Sequence, residues 1–237
     1  MHRSRFVLLA LVAVALGACE SEEVDAGATT SLVSTTSTSS LTTTSVAATS
    51  TLAPTTSLAT TGTGSTELVE YDGSAYGFVM LLPASWTAIA PDDFDFGSLS
   101  EEMVDLYGQE LADQATAIVS QGGVLFALAP DTGSGFVNNI NVIQGPTTGA
   151  TAADLEQAYI DEIPLIGAEI IETGIVSIPV GEAAVARYSI PDFGVAGVGY
   201  WIIADDSEWV ITLSYSDSAP LGFDFEEIVN SFQVVDR

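Results

Sequence analysis

The chain has 237 residues, with 32 Asp plus Glu against 4 basic residues that are all Arg, for a formal net charge of -28. It has no Lys, and its one His and one Cys both lie in the first nineteen residues; this excludes a Schiff-base Lys, a P-loop Lys and a paired-Cys framework. A surface this acidic repels phosphates and anionic headgroups, which argues against nucleic acid as a partner and against a basic membrane-binding patch.

The N-terminus reads as an address. His2, Arg3 and Arg5 precede the apolar run Phe6 to Leu16, which is too short to span a bilayer that needs roughly 20 helical residues. The segment Leu16-Gly17-Ala18-Cys19 resembles the bacterial lipobox, in which a peptidase cleaves before a Cys whose sulfur carries diacylglycerol. Residues 1–18 are thus expected to be a lipoprotein signal peptide, and Cys19 the lipid attachment residue. Several acyl chains together anchor more firmly than one, so the expected partner here is the membrane, through the lipid. Cleavage leaves Arg187 and Arg237 as the only cations, a formal charge of about -30, and no histidine or free thiol. Residues 19–25 form an acidic N-terminus containing Ser21 to Asp25 (SEEVD), which is repelled by anionic headgroups.

From Ala26 to Ser65, 24 of 40 residues are Ser or Thr, with no charge and no aromatic residue. Such a stretch buries too little apolar surface to offset its ordering entropy, so residues 26–65 are read as a disordered Ser/Thr-rich stalk. As a flexible coil it would extend roughly 35 Å end to end. It would act as a spacer through a cell-wall layer, or as flexible filler; Ser/Thr-rich stalks are often O-glycosylated.

Residues 66–237 are expected to form one globular domain, long enough to bury a sizeable core. Apolar alternation and apolar runs predict strands over Gly77 to Leu82, Val124 to Pro130, Phe136 to Gln144, Glu169 to Ile178, Ala183 to Ile190, Val198 to Ala204 and Trp209 to Tyr215. A first helix is predicted from the apolar face Leu99, Met103, Leu106, Tyr107, Leu111, Ala115 and Ile118, with Ser98 and Glu101 as a capping box. A second covers Thr151 to Ile163, capped by Thr151 and stopped by Pro164. A third covers Asp224 to Phe232 and presents Phe225, Ile228, Val229 and Phe232 to the sheet. Hairpins are expected around Pro179-Val180-Gly181 and around Asp205-Asp206-Ser207-Glu208. The order of strand, helix, two strands, helix, four strands, helix predicts an α+β fold, an antiparallel β-sheet sandwiched by helices.

Several segments carry a family resemblance. Tyr76-Gly77-Phe78 leads into Leu82-Pro83-Ala84-Ser85-Trp86; Phe136 to Val142 (FVNNINV) and Gly181 to Tyr188 (GEAAVARY) follow, and the domain closes on a long hairpin and Ile228 to Phe232 (IVNSF). Together these resemble the PsbP-like superfamily, which includes photosystem extrinsic subunits, a eukaryotic Ran-binding protein and actinobacterial lipoproteins of the LpqN type. The resemblance implies an α/β/α sandwich and a non-catalytic role in binding larger assemblies. It carries over no catalytic or ligand residue. The metal sites proposed in photosynthetic members need His, and their docking surfaces use basic residues; the mature chain lacks both.

The remaining chemistry is narrow. Without His, Cys or Lys, a Ser nucleophile has no ordinary base and a transition metal would find only carboxylates. No catalytic residue, metal ligand or cofactor is therefore assigned. Asp92, Asp93 and Asp95, or Asp205, Asp206 and Glu208, could supply a carboxylate pair for glycosidic hydrolysis, but both groups are first read as solvated turns. Asp92 to Gly97 (DDFDFG) lacks the spacing and final Glu of a calcium loop. Trp86 is expected to plug one edge of the core, and Trp201 and Trp209 to pack as neighbours on paired strands. Arg187 is expected to hold a local carboxylate. The sequence thus predicts an exported lipoprotein, anchored in the cell membrane and facing the cell wall or outside, with a non-catalytic domain binding an envelope protein or glycan. The alternative is a carboxylate-only hydrolase of cell-wall glycan.

Overall fold

A computed structural model describes residues 66–91, 109–130, 136–217 and 221–237. Cys19 and its signal, the Ser/Thr-rich segment, the acidic group Asp92, Asp93 and Asp95, and the predicted capping box at Ser98 and Glu101 lie outside the described residues. The elements are β1 (Leu68–Gly73), β2 (Phe78–Pro83), β3 (Thr87–Ile89), α1 (Gln109–Ser120), β4 (Gly123–Leu128), β5 (Asn139–Pro146), α2 (Ala152–Glu162), β6 (Glu169–Ile178), β7 (Gly181–Ile190), β8 (Val195–Ala204), β9 (Ser207–Ser216), α3 (Phe225–Ser231) and β10 (Gln233–Val234).

All seven predicted strands are present, as β2 and β4 to β9, and every strand pair is antiparallel. The fold is the α+β type expected. A seven-stranded sheet runs in the order β3-β4-β5-β9-β8-β7-β6, and β1-β2-β10 form a second, small sheet. Three strands were not foreseen. β3 and β10 have only 3 and 2 residues, too few to show a period. β1 carries Glu70 and Asp72, and only Gly73 in it is buried.

One face of the large sheet packs on the helices: Ala115 and Ile118 from α1, and Leu155 and Tyr159 from α2, meet Phe126, Leu128, Ala184, Ala186, Trp201 and Val210. On the other face, Phe225, Ile228 and Val229 of α3, with Phe232 just beyond it and Phe78, Met80 and Leu82 of β2, cover Leu125, Ile140, Val142, Ile202, Trp209, Ile211 and Leu213. The second covering layer is therefore a small sheet with one helix, where the sequence suggested helices alone. Phe232 takes its place there as expected, its ring 5.3 Å from that of Trp209 and 5.9 Å from that of Phe78.

The helix ends follow from their capping residues. Thr151 accepts from the Asp154 backbone N–H, and Asp154 accepts from the Thr151 N–H, a complete capping box for α2. The helix ends at Glu162 and passes into a 3-10 turn over Ile163–Ile166, with Pro164 near its start. Asp224 caps α3 by accepting from the Glu226 N–H at 2.9 Å.

The β8–β9 hairpin differs from its prediction. Its turn is only Asp205-Asp206, both with positive φ (46° and 61°), as a two-residue turn of the I′ kind requires. Ser207 and Glu208 already belong to β9, paired with Ala204 and Ile203. Trp201 and Trp209 are also corrected. Trp209 faces Ile202 across the hairpin and Trp201 faces Val210, so successive side chains send the two indoles to opposite faces of the sheet.

Candidate functional site

The second acidic group is split by the short turn. Asp205 and Asp206 are exposed at the hairpin tip, whereas Glu208 is only 6% exposed. One Glu208 carboxylate oxygen accepts from both the Thr148 N–H at 2.6 Å and the Thr148 hydroxyl at 2.5 Å, pinning the loop that leads into α2. This is a structural use of the acid, so Glu208 does not join the two aspartates as a pair. Among the described residues there is no group of three His, Cys, Asp or Glu able to hold a metal ion.

Arg187 holds local carboxylates, as predicted. Its guanidinium donates to Glu226 of α3 at 2.9 Å and lies 3.8 Å from Glu172 of β6. All three side chains are well exposed, so these pairs contribute little to stability. Tyr200 is close by: burial first, then the Glu226 charge, pushes its hydroxyl up to about 12 against the opposing pull of Arg187. Trp86, half-buried, packs edge-on against Phe223 at 5.6 Å, the core-edge role expected of it. The last residue, Arg237, donates to the Tyr76 carbonyl at 2.7 Å and to the side chain of Gln144.

A polar layer beneath α2 was not foreseen. In register across the sheet lie Asn139, Ser214, Gly197 and Tyr188, and beside them Asn141, Thr212, Gly199 and Ala186. The glycines make room for the tyrosines. A Cβ on Gly197 would sit 2.2 Å from the Tyr188 ring, and one on Gly199 would sit 2.8 Å from the Tyr159 hydroxyl. Asn139 donates to the Val137 carbonyl at 3.2 Å, but its Oδ1, both amide atoms of Asn141, the Tyr159 hydroxyl and the Trp201 Nε1 have no hydrogen-bond partner. Tyr188 and Ser214 do not reach hydrogen-bond geometry, although the Ser214 hydroxyl partly offsets the effect of burial on Tyr188. Burial raises both Tyr159 and Tyr188 well above the usual phenol range. Every one of these atoms is covered by protein, so the layer is an uncharged floor within the core. The alternation of polar and small residues in Asn139/Asn141, Thr212/Ser214 and Gly197/Gly199 was its sequence signal.

The accessible feature is the outer margin of the large sheet. Among the described residues β6 pairs only with β7, and none of its ten residues is buried. The exposed large apolar side chains among the described residues are Leu165 (71%), Ile171 (66%), Val69 (43%), Ile160 (40%) and Ile175 (39%). All but Val69 fall on α2, on the 3-10 turn after it, or on β6 itself. The geometry places Ile160 and Ile175 on one side of this margin. Thr173 of β6 donates to Glu156 of α2 at 3.2 Å, so Ile160, one helical turn beyond Glu156, shares that side of the helix. Ile175, two residues from Thr173, shares its face of the strand. Ile171 is the extra residue of a bulge between Ile170 and Glu172, and Leu165 lies in the turn joining α2 to β6. The bulge had no sequence sign, since the same Ile-Ile pair at Ile202-Ile203 stands in regular register. The edge position itself was not readable, because it depends on which strands pair.

No protein-family model matches the chain, and no curated protein matches it in sequence. Among solved structures it is similar to the solution structure of cyanobacterial PsbP (CyanoP) from Synechocystis sp. PCC 6803, at 15% identity over 73% of this chain and 95% of that one, with a TM-score of 0.45. It is also similar to a crystal structure from Bacteroides thetaiotaomicron VPI-5482, at 9% identity over 71% of this chain and 48% of that one, with a TM-score of 0.35.

Proposed function

We propose that the chain is an exported bacterial lipoprotein of the LpqN type, held in the membrane through Cys19, whose domain binds or scaffolds an envelope component without catalysing a reaction. The observation that carries the binding role is the set of exposed apolar side chains Ile160, Leu165, Ile171 and Ile175 on β6 and the helix and turn that precede it, at a sheet margin unpaired among the described residues, since exposed apolar surface gathered in one region marks interaction sites. The lipobox-like Leu16 to Cys19 and the neutral Ser/Thr-rich residues 26–65 support display outside the cell. Glu208 is committed to Thr148, and Asp205 and Asp206 stand apart at a hairpin tip, which weakens the hydrolase alternative for this group.

The test is metabolic labelling of the full chain with radioactive palmitate, followed by membrane fractionation. The wild-type protein is expected to take up label and sediment with membranes, and Cys19→Ala to lose the label and retain the uncleaved signal. A Cys19→Ala protein that is processed and labelled like wild type would overturn the lipoprotein reading.

A further inference from the structure

We infer that β6 is a docking edge that accepts an extended, cationic and apolar protein segment as an eighth strand of the large sheet. This deepens the binding role proposed above and rests on it. An unpaired edge offers a row of backbone N–H and C=O groups, and proteins ordinarily shield such edges with Pro, Lys, short length or bulges. β6 has ten residues against a usual five or six, with no Pro and no Lys. Its shielding devices are the acids Glu169 and Glu172, which repel a like-charged strand but not a cationic one, and the bulge at Ile171, which leaves an isoleucine side chain exposed. Strand addition takes its affinity from main-chain hydrogen bonds and its selectivity from alternate side chains. Here Ile160 and Ile175 on one side of the margin, with the exposed Ile171 on the strand itself, would receive the apolar positions of an incoming strand.

The charge of the occupant follows from its surroundings. Glu169 and Glu172 lie on β6, Glu156 and Asp161 on α2, and Glu182 faces Ser177 on the neighbouring strand. The cation at this margin, Arg187, is shared between Glu172 and Glu226. A second copy would bring the same acids face to face. The chain's own residues 26–65 carry no charge and leave these acids unanswered. Lys or Arg at the flanks of a partner strand answers them.

The test uses the full chain and a capped ten-residue peptide alternating Lys and Val as the probe. Its controls are the same peptide with every backbone amide methylated and a Glu-Val counterpart. The Lys-Val peptide is expected to bind with amide shifts confined to residues 160–178. Methylated or acidic peptide, or Ile171→Lys protein, should bind at least tenfold more weakly. Because Ile171 is exposed, that variant should melt as wild type does; Ile175→Lys serves as the second variant. Absence of binding at low salt, equal binding of the methylated or acidic peptide, shifts on another face, or a dimer abolished by Ile171→Lys would each overturn the inference. A photo-crosslinking residue placed at Ile171, or at Val69 on the other sheet, in the cells that make the protein separates the two readings. A product at Ile171 whose partner peptide is basic and apolar supports the edge. A product at Val69 alone overturns the edge but keeps the binding role, and no product at either position overturns both.

Discussion

Tyr159 and Tyr188 bring phenols into the core without good partners, and they do so because Gly197 and Gly199 leave space over the sheet. Their consequence is a dependence on alkaline pH. Burial raises both folded values above the ordinary 10.0, so below pH 10 each phenol is neutral in the folded and unfolded chain. Above pH 10 the unfolded chain loses these protons first, and stability falls as pH rises toward the folded values. Each phenol adds about 1.4 kcal/mol per pH unit to that slope. Urea unfolding of Tyr159→Phe and Tyr188→Phe between pH 9 and 11 should show a flatter decline than wild type. At pH 7, Tyr159→Phe should cost less than about 1 kcal/mol, because no complete hydrogen bond is lost. An unchanged slope in both variants would show that the phenols already reach water. These residues were hidden in the sequence because Asn139 and Asn141 sit inside an apolar run that reads simply as a strand. Only the register reveals that they face Ser214 and Thr212.

The elements legible in the sequence were those with a local signature. Thr151 announces the start of α2, and Pro164 its end. Replacing Thr151 with Ala should cost about 1 kcal/mol in chemical denaturation, because it removes the hydroxyl that accepts from the Asp154 N–H and donates to the Asp154 carboxylate, leaving only the Thr151 backbone N–H bond to that carboxylate. A loss below a few tenths would mean that the Glu208–Thr148 contact and core packing alone set the helix start. The β8–β9 hairpin was legible in kind but not in length. Asp205-Asp206 can form the tight turn alone, so two polar residues that looked like loop were drawn into β9. The strands β1, β3 and β10 were not legible because short or half-exposed strands leave no hydrophobic period. Whether β6 would stand at an edge depended on the pairing of β5 with β9, a contact between distant segments that no local pattern encodes.

At the scale of the whole molecule, self-repulsion outweighs every other charge effect. The acids are spread over sheet margins, turns and helix flanks, and the ion pairs of Arg187 are exposed and weak. Added salt therefore screens more repulsion than attraction as the Debye length falls from about 10 Å at 0.1 M to about 3 Å at 1 M. The melting temperature of the full chain should rise by several degrees from 0.05 to 1 M sodium chloride, measured by circular dichroism. A fall would show that attractive pairs outweigh the repulsion. The same acidity opposes the approach of two copies through an apolar margin such as β6.

The small sheet gives the chain an unequal order of assembly. β6 to β9 form a meander whose neighbours in space are neighbours in sequence, so it can close as soon as it is made. β2, in contrast, meets β10 through Val79 and Gln233, about 150 residues later, a wait of roughly 10 to 30 s at ordinary translation rates. During that interval Phe78 and Met80 lack the cover of Phe232, which leaves the front of the domain open to premature association.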